Sequence, residues 1–131
     1  MERDADVYLS KAIESLEIAE IAFANGRYNS CANRSYYACF QAAIAALLDV
    51  GIRTSGGEWG HDFVQAQFSR QLINRRKRFS GSLRQVLPDN QAVRDVGDYG
   101  AKHVSETEAG RALRKAQSFV AAVQQRSKTN R

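Results

Sequence analysis

Apolar residues recur at helical spacing from one end of the chain to the other, and no stretch alternates apolar and polar as a half-buried strand would. The first segment, about Asp4 to Ala24, sets Leu9, Ile13, Leu16, Ala19 and Phe23 along one stripe, with Lys11, Glu14 and Glu17 off it. Asn25-Gly26 supplies its stop. The second, about Tyr28 to Val50, is apolar on nearly every face between Tyr36 and Leu48, as expected of a helix in the middle of a bundle. Its small residues, among them Ala32, Ser35, Ala38, Ala42 and Ala46, let neighbouring helices come close, and Gly51 ends it. Residues 52–60, with Thr54-Ser55-Gly56-Gly57 and Gly60, read as a loop. A third helix runs from about His61 to Asn74 with Val64, Phe68 and Leu72 in line.

Ser80-Gly81-Ser82 makes the next connection. From Leu83 to about Tyr99 the helical pattern returns, and Pro88 is expected either to kink it or to split it at Asp89, which can act as an N-cap. Ser105-Glu106-Thr107-Glu108 is a capping box. It opens the cleanest stripe of all: Ala109, Leu113, Ala116, Phe119 or Val120, then Val123. The tail from Arg126 is polar and is expected to fray. The sum is an all-α, up-and-down antiparallel bundle of four principal helices plus a short or broken one. It is expected to be a single domain over residues 1–131, with its core at about 5–124 and a polar tail at 126–131.

Composition narrows the setting. With 44% apolar residues, 25% charged residues, one proline and nine glycines, the 131 residues are neither a disordered segment nor a collagen-like chain. No apolar run approaches the roughly 20 residues that span a bilayer, and Met-Glu-Arg-Asp-Ala-Asp does not read as a signal peptide. Cys31 and Cys39 would stand about 12 Å apart along a shared helix, too far to bridge, and read as buried inert thiols. The expectation is a soluble protein in a reducing, cytoplasmic setting.

The net charge of +5 is uneven. Residues 1–24 carry six acids against Arg3 and Lys11, whereas the other 107 residues carry seventeen bases and eight acids. Between Arg70 and Arg84 stand six bases and no acid, including Arg75, Arg76, Lys77 and Arg78. Such a run holds phosphates by charge and counterion release. It also suits a solvated helix C-terminus, whose macrodipole favours cations. The two histidines, His61 and His103, fall in different segments without a second ligand at helical spacing, so no metal is expected. No glycine-rich phosphate loop is present, and no cofactor is implied.

Three polar positions sit among apolar neighbours. Arg34 falls just before Tyr36-Tyr37, and Arg94 and Asp98, one turn apart, can pair with Tyr99 beside them. They read either as an ordinary ion pair or as a polar cluster in a groove or dimer seam, where arginine can grip a phosphate.

At these residues the chain resembles HEPN domains (higher eukaryotes and prokaryotes nucleotide-binding). The stretch Arg34-Ser-Tyr36-Tyr37-Ala-Cys-Phe40-Gln-Ala-Ala-Ile-Ala-Ala-Leu47-Leu48 resembles their central-helix signature. His61-Asp-Phe-Val64-Gln-Ala-Gln-Phe68 resembles the third helix, and Arg94-Asp-Val-Gly-Asp98-Tyr99 an Arg-x-x-x-Asp-Tyr element of one subgroup. Glu108-Ala109 with Ala116 and Phe119-Val120 resembles the closing helix. The resemblance implies a homodimeric four-to-five-helix bundle. It also implies frequent partnership with a separate minimal nucleotidyltransferase, often as toxin and antitoxin.

In many such pairs the HEPN subunit is a metal-independent RNase whose motif is Arg, four to six residues, then His. This chain departs from that motif: eight residues separate Arg94 from His103, and Tyr99 occupies the slot five after Arg94. Seven residues and a glycine-rich loop separate Arg53 from His61. RNA cleavage through the 2′-hydroxyl needs a group that exchanges a proton near neutral pH, as histidine does and arginine does not.

The leading expectation is therefore a binding and interaction module, a dimer partnered with a nucleotidyltransferase. It would present Arg34, Arg94, Asp98 and Tyr99 to a nucleotide or RNA, with Arg75, Arg76, Lys77 and Arg78 as outer phosphate contacts. The alternatives are an RNase that uses Arg94 with His103, or less readily His61, and a purely structural dimeric subunit.

Overall fold

The computed structural model describes residues 2–129, and every regular element among them is helical. Helix α1 (Asp4–Ala24) and α2 (Tyr28–Asp49) form the first hairpin, α3 (His61–Gln67) continues as a π-helix over Phe68–Arg75, and a 3₁₀ turn at Gly81–Leu83 leads to α4 (Val86–Tyr99) and α5 (Glu106–Thr129). Helix α2 is the axis. Thirteen of its 22 residues are buried, and α1, α4 and α5 all pack against it. Among the described residues no helix is long and apolar enough to cross a membrane.

The hairpin α1–α2 closes through small residues. Ala5, Ala12, Ser15, Ala19 and Ala22 are the buried positions of α1, while Leu9, Ile13, Leu16 and Phe23 flank them half-buried. The expected stripe of large side chains is thus rotated by about one position, because close approach to the alanine-rich α2 leaves room only for small groups. Ser15 and Gln41 share a hydrogen bond of 2.7 Å within this interface.

Three other expectations need correction. Pro88 neither kinks nor splits α4. It is the third residue of a helix that begins at Val86, where no intrahelical N–H donor is required, and the Asp89 N–H donates to the Gln85 carbonyl at 2.9 Å. The third helix does not stay α-helical to Asn74: from Phe68 it widens to π geometry, with the Arg76 N–H on the Gln71 carbonyl at 3.0 Å. The C-terminal tail is helical past Arg126, where the sequence pattern placed the start of a polar tail: α5 runs to Thr129, and residues 130 and 131 lie outside the described residues.

The capping box forms as expected. The Glu108 N–H donates to Ser105 Oγ at 3.1 Å and the Ser105 N–H to Glu108 Oε1 at 3.0 Å. That backbone bond holds the Glu108 carboxyl below its usual value. Both thiols are free and buried, and burial pushes the Cys39 thiol up to about 12. Asn90, which the sequence pattern did not single out, is buried in the α2–α4–α5 interface, where its amide donates to the Ala112 carbonyl at 3.1 Å.

Candidate functional site

Two arginines and three tyrosines meet where the N-terminal half of α2 faces the C-terminal half of α4. On α4, the 3.6-residue repeat puts Arg94 and Asp98 on one side one turn apart, and Arg94 Nε donates to Asp98 Oδ2 at 3.1 Å. Arg94 Nη2 reaches the Tyr99 hydroxyl at 2.9 Å and Nη1 lies 3.6 Å from Asp95. Its guanidinium carbon stands 5.5, 5.4 and 5.4 Å from the ring centres of Tyr36, Tyr37 and Tyr99, a cage of three π faces around one cation. Arg94 is only 8% exposed. Burial is the largest influence and opposes its charge, but the bond to Asp98 together with the fields of Tyr37, Tyr99 and Asp95 outweighs that cost, and its pKa stays above the ordinary arginine value.

Asn33 extends the cluster across α2. Its amide nitrogen donates to Asp98 Oδ2 at 2.9 Å while its oxygen accepts from Arg34 Nε at 2.9 Å. Arg34 in turn lies 5.1 Å over the Tyr37 ring. The result is one polar chain, Arg34–Asn33–Asp98–Arg94–Tyr99, running from one helix to the next. Asn33 was not anticipated. Its signal was present, an amide one turn after Asn29 on the end of α2 that faces α4, yet amides at a helix terminus usually serve capping.

This chain walls one side of an open groove of about 700 Å³ between α1, α2 and α4. Arg34, Asn33, Asp98 and Tyr99 line it, with Ile18 of α1 opposite. Arg94 sits behind that lining and braces Asp98 and Tyr99 instead of facing the groove itself. Tyr99 is 75% exposed, and Ile18 and Ile21 of α1 are 46% and 58% exposed. The helices are brought together at Gly97, where an added Cβ would stand 3.3 Å from the Asn29 Cα and 3.2 Å from Val104.

His103 lies next door. It shares a 3.0 Å hydrogen bond with Asn29 and lines a depression of about 290 Å³ that also includes Arg27 and Tyr28. Asn29 and Ser30 line both this depression and the groove. His61, first residue of α3, is hydrogen-bonded through Nδ1 to the Tyr36 hydroxyl, and its ring centre stands 4.8 Å from Phe40. Tyr36 and Tyr37 therefore touch Arg94 and His61 alike, although 33 positions separate those two in sequence. Burial pushes the Tyr36 phenol up to about 12, so it stays protonated and cannot serve as a base near neutral pH.

The basic run lies elsewhere. Arg75 ends the π-helix, and Arg126, near the end of α5, donates to the Arg78 carbonyl at 3.0 Å. The groove instead adjoins the end of α4, ahead of the start of α5. Because α5 spans about 36 Å, Arg75, Arg76, Lys77 and Arg78 do not form one continuous surface with Arg34 and Tyr99. Among the described residues no group of three or more His, Cys, Asp or Glu gathers to hold a metal ion.

Comparison with known proteins finds both a family and a relative. The family model described as HEPN domain matches residues 5–126. A UPF0332 protein of Thermotoga maritima is 31% identical over 124 residues, which cover 94% of this chain and 90% of that protein.

Proposed function

The chain belongs to the HEPN domain family, and from that membership we propose that it is a nucleotide- or RNA-binding interaction module. The observation that carries this reading is the braced groove, in which a buried arginine holds a carboxylate and an exposed tyrosine in fixed positions beside a second arginine. Tyr99 offers a face for a base to stack on, Asn33 offers a donor and Asp98 an acceptor for its edge, and Arg34 offers a guanidinium for phosphate. Arg94 is the positioning residue. The exposed Ile18, Ile21 and Tyr99 beside the groove support association with a second copy and with a minimal nucleotidyltransferase, in a toxin–antitoxin-like pair.

Titration with ATP and with a short single-stranded RNA tests the groove. Arg34→Ala and Tyr99→Ala are each expected to weaken binding by about tenfold, the size of one charge-assisted bond or one stacked base. Circular dichroism should stay that of the folded protein in both variants; the urea midpoint should remain near wild type for Arg34→Ala and fall somewhat for Tyr99→Ala, which takes a partner from the buried Arg94. Undiminished affinity in both variants overturns the reading.

A second reading, a metal-independent RNase, is favoured by one observation: the depression that holds His103 adjoins the groove, with Asn29 and Ser30 lining both. There His103 would take the proton of a 2′-hydroxyl as its oxygen attacks the adjacent phosphorus and the 5′-oxygen leaves, while an arginine offsets the charge. Purified protein incubated with RNA in EDTA decides it. Cleavage that His103→Ala abolishes, and His61→Ala does not, supports the reading; intact RNA with wild-type protein overturns it.

A further inference from the structure

The end of the bundle away from the groove carries a second set of features that the proposed function does not use. No acid occurs between residues 63 and 88 or after Glu108, so both segments that meet there are purely basic in charge. Helix ends favour one or two cations through their exposed carbonyls. Here Arg75, Arg76, Lys77 and Arg78 follow one another, with Arg84, Arg126 and Lys128 nearby in the fold or chain, more positive charge than a helix terminus requires. The backbone spreads these side chains. Lys77 takes a left-handed conformation (φ 52°), and the next two N–H groups turn back onto the Leu72 carbonyl at 2.8 and 3.3 Å. The four consecutive bases therefore fan around the end of the π-helix.

Directly beside them is a depression of about 370 Å³ with an apolar floor of Phe79, Leu83 and Ala122. Phe79 is held there by Phe68, whose ring centre is 5.3 Å away. Around the floor stand the hydroxyls of Ser80, Ser82 and Thr129, the amide of Gln125, and the guanidiniums of Arg78 and Arg126. An apolar floor of this size with hydroxyl and amide groups at its edge suits a flat heterocycle. The adjoining row of guanidiniums suits a repeating monoanion. A duplex would present phosphates while keeping its bases stacked away from the floor. An acidic peptide would bring carboxylates to the guanidiniums but no flat ring for the floor.

We propose that this end of the bundle is a single-strand nucleic-acid site, in which one unpaired base seats on Phe79, Leu83 and Ala122 while the neighbouring phosphates lie along Arg75, Arg76 and Lys77. The site is separate from the groove at Arg34 and Tyr99 and does not depend on it.

Fluorescence anisotropy with a short labelled uridine oligomer tests it, in the Arg34→Ala protein so that the groove contributes little. A variant carrying Arg75→Ser, Arg76→Ser and Lys77→Gly removes three exposed charges and no buried group. Its plot of log affinity against log salt should flatten by about 2, at about 0.7 for each single-strand phosphate released. Ala122→Leu fills the floor and should weaken the oligomer by about tenfold, the worth of one stacked base, while the salt slope stays unchanged. Three results overturn the proposal: an unchanged slope in the triple variant; equal affinity for the oligomer and for a duplex of the same length; or binding of phosphatidylserine vesicles or polyglutamate with none to the oligomer. An oligodeoxyribonucleotide of matching sequence then separates RNA from DNA through the 2′-hydroxyl. Since loss of ATP binding in Arg34→Ala and Tyr99→Ala reports on the groove, and the salt slope of the triple variant reports on this end, failure here leaves the Arg34 and Tyr99 result standing, and the reverse also holds.

Discussion

Replacing Arg94 by alanine should cost about 2–4 kcal/mol of folding stability, because it removes the one cation that Asp98, Tyr99 and three aromatic faces are arranged around. In a chain of this length that lowers Tm by about 10 °C, and the urea midpoint should fall with an unchanged m-value. The cost stays below that of a fully buried pair because Asp98 keeps a quarter of its side-chain surface in water and Asn33 still donates to it. Arg94→Lys should recover little. A lysine supplies the charge but not the planar fork that meets Asp98 and the Tyr99 hydroxyl at once. A loss under about 1 kcal/mol for Arg94→Ala would mean that the cage holds without its cation, and Arg94 would cease to be the brace of the site.

Phe119→Ala should be the most damaging single truncation, at about 3–5 kcal/mol. Phe119 is fully buried on α5, and its ring centre lies 4.9 Å from Phe68, which in turn contacts Phe79 at 5.3 Å. These three rings fasten the π-helix and the following turn to α5, so the cavity would open under the least regular part of the fold. Phe119→Leu keeps most of the volume and should cost no more than about 1.5 kcal/mol. Denaturant melts of both variants, followed by circular dichroism, provide the comparison. Near-equal losses would show that leucine cannot stand in for the ring, and that the stack on Phe68 matters more than the filled volume.

The helices were legible in the sequence because their ends are written in short-range chemistry. Asn25-Gly26 stops α1, Gly51 follows α2, and Ser105 with Glu108 opens α5, each within a few residues. The faces were less legible. A stripe of large apolar residues marks the buried side of α5, but in α1 close packing against α2 turned the alanines inward and left Ile18 and Ile21 outside. The π geometry at Phe68–Arg75 left no trace, since Val64, Phe68 and Leu72 keep α-helical spacing. Pro88 misled for a local reason: proline breaks a helix interior but suits a first turn, and the pattern did not fix where that turn begins.

In the site, the Arg94–Asp98–Tyr99 group was readable because all three residues belong to one helix. Its contacts with Tyr36 and Tyr37, and theirs with His61, are tertiary, made by helices far apart in the chain. The basic run was visible as charge, but its distance from the groove was not. Only the direction of each helix in the bundle sets that distance.

The contact at Gly97 bears on the speed of recognition. With the backbones of α4 and α2 in touch there, and Asn29 also accepting from the Val104 N–H at 2.8 Å, the two walls of the groove are joined at their base and have no space to move together. A ligand would meet a preorganised surface whose ordering entropy was spent during folding. Association should then proceed without a gating step, at the about 10⁵–10⁷ M⁻¹s⁻¹ of unassisted docking, and differences in affinity among ligands would appear in how long they stay.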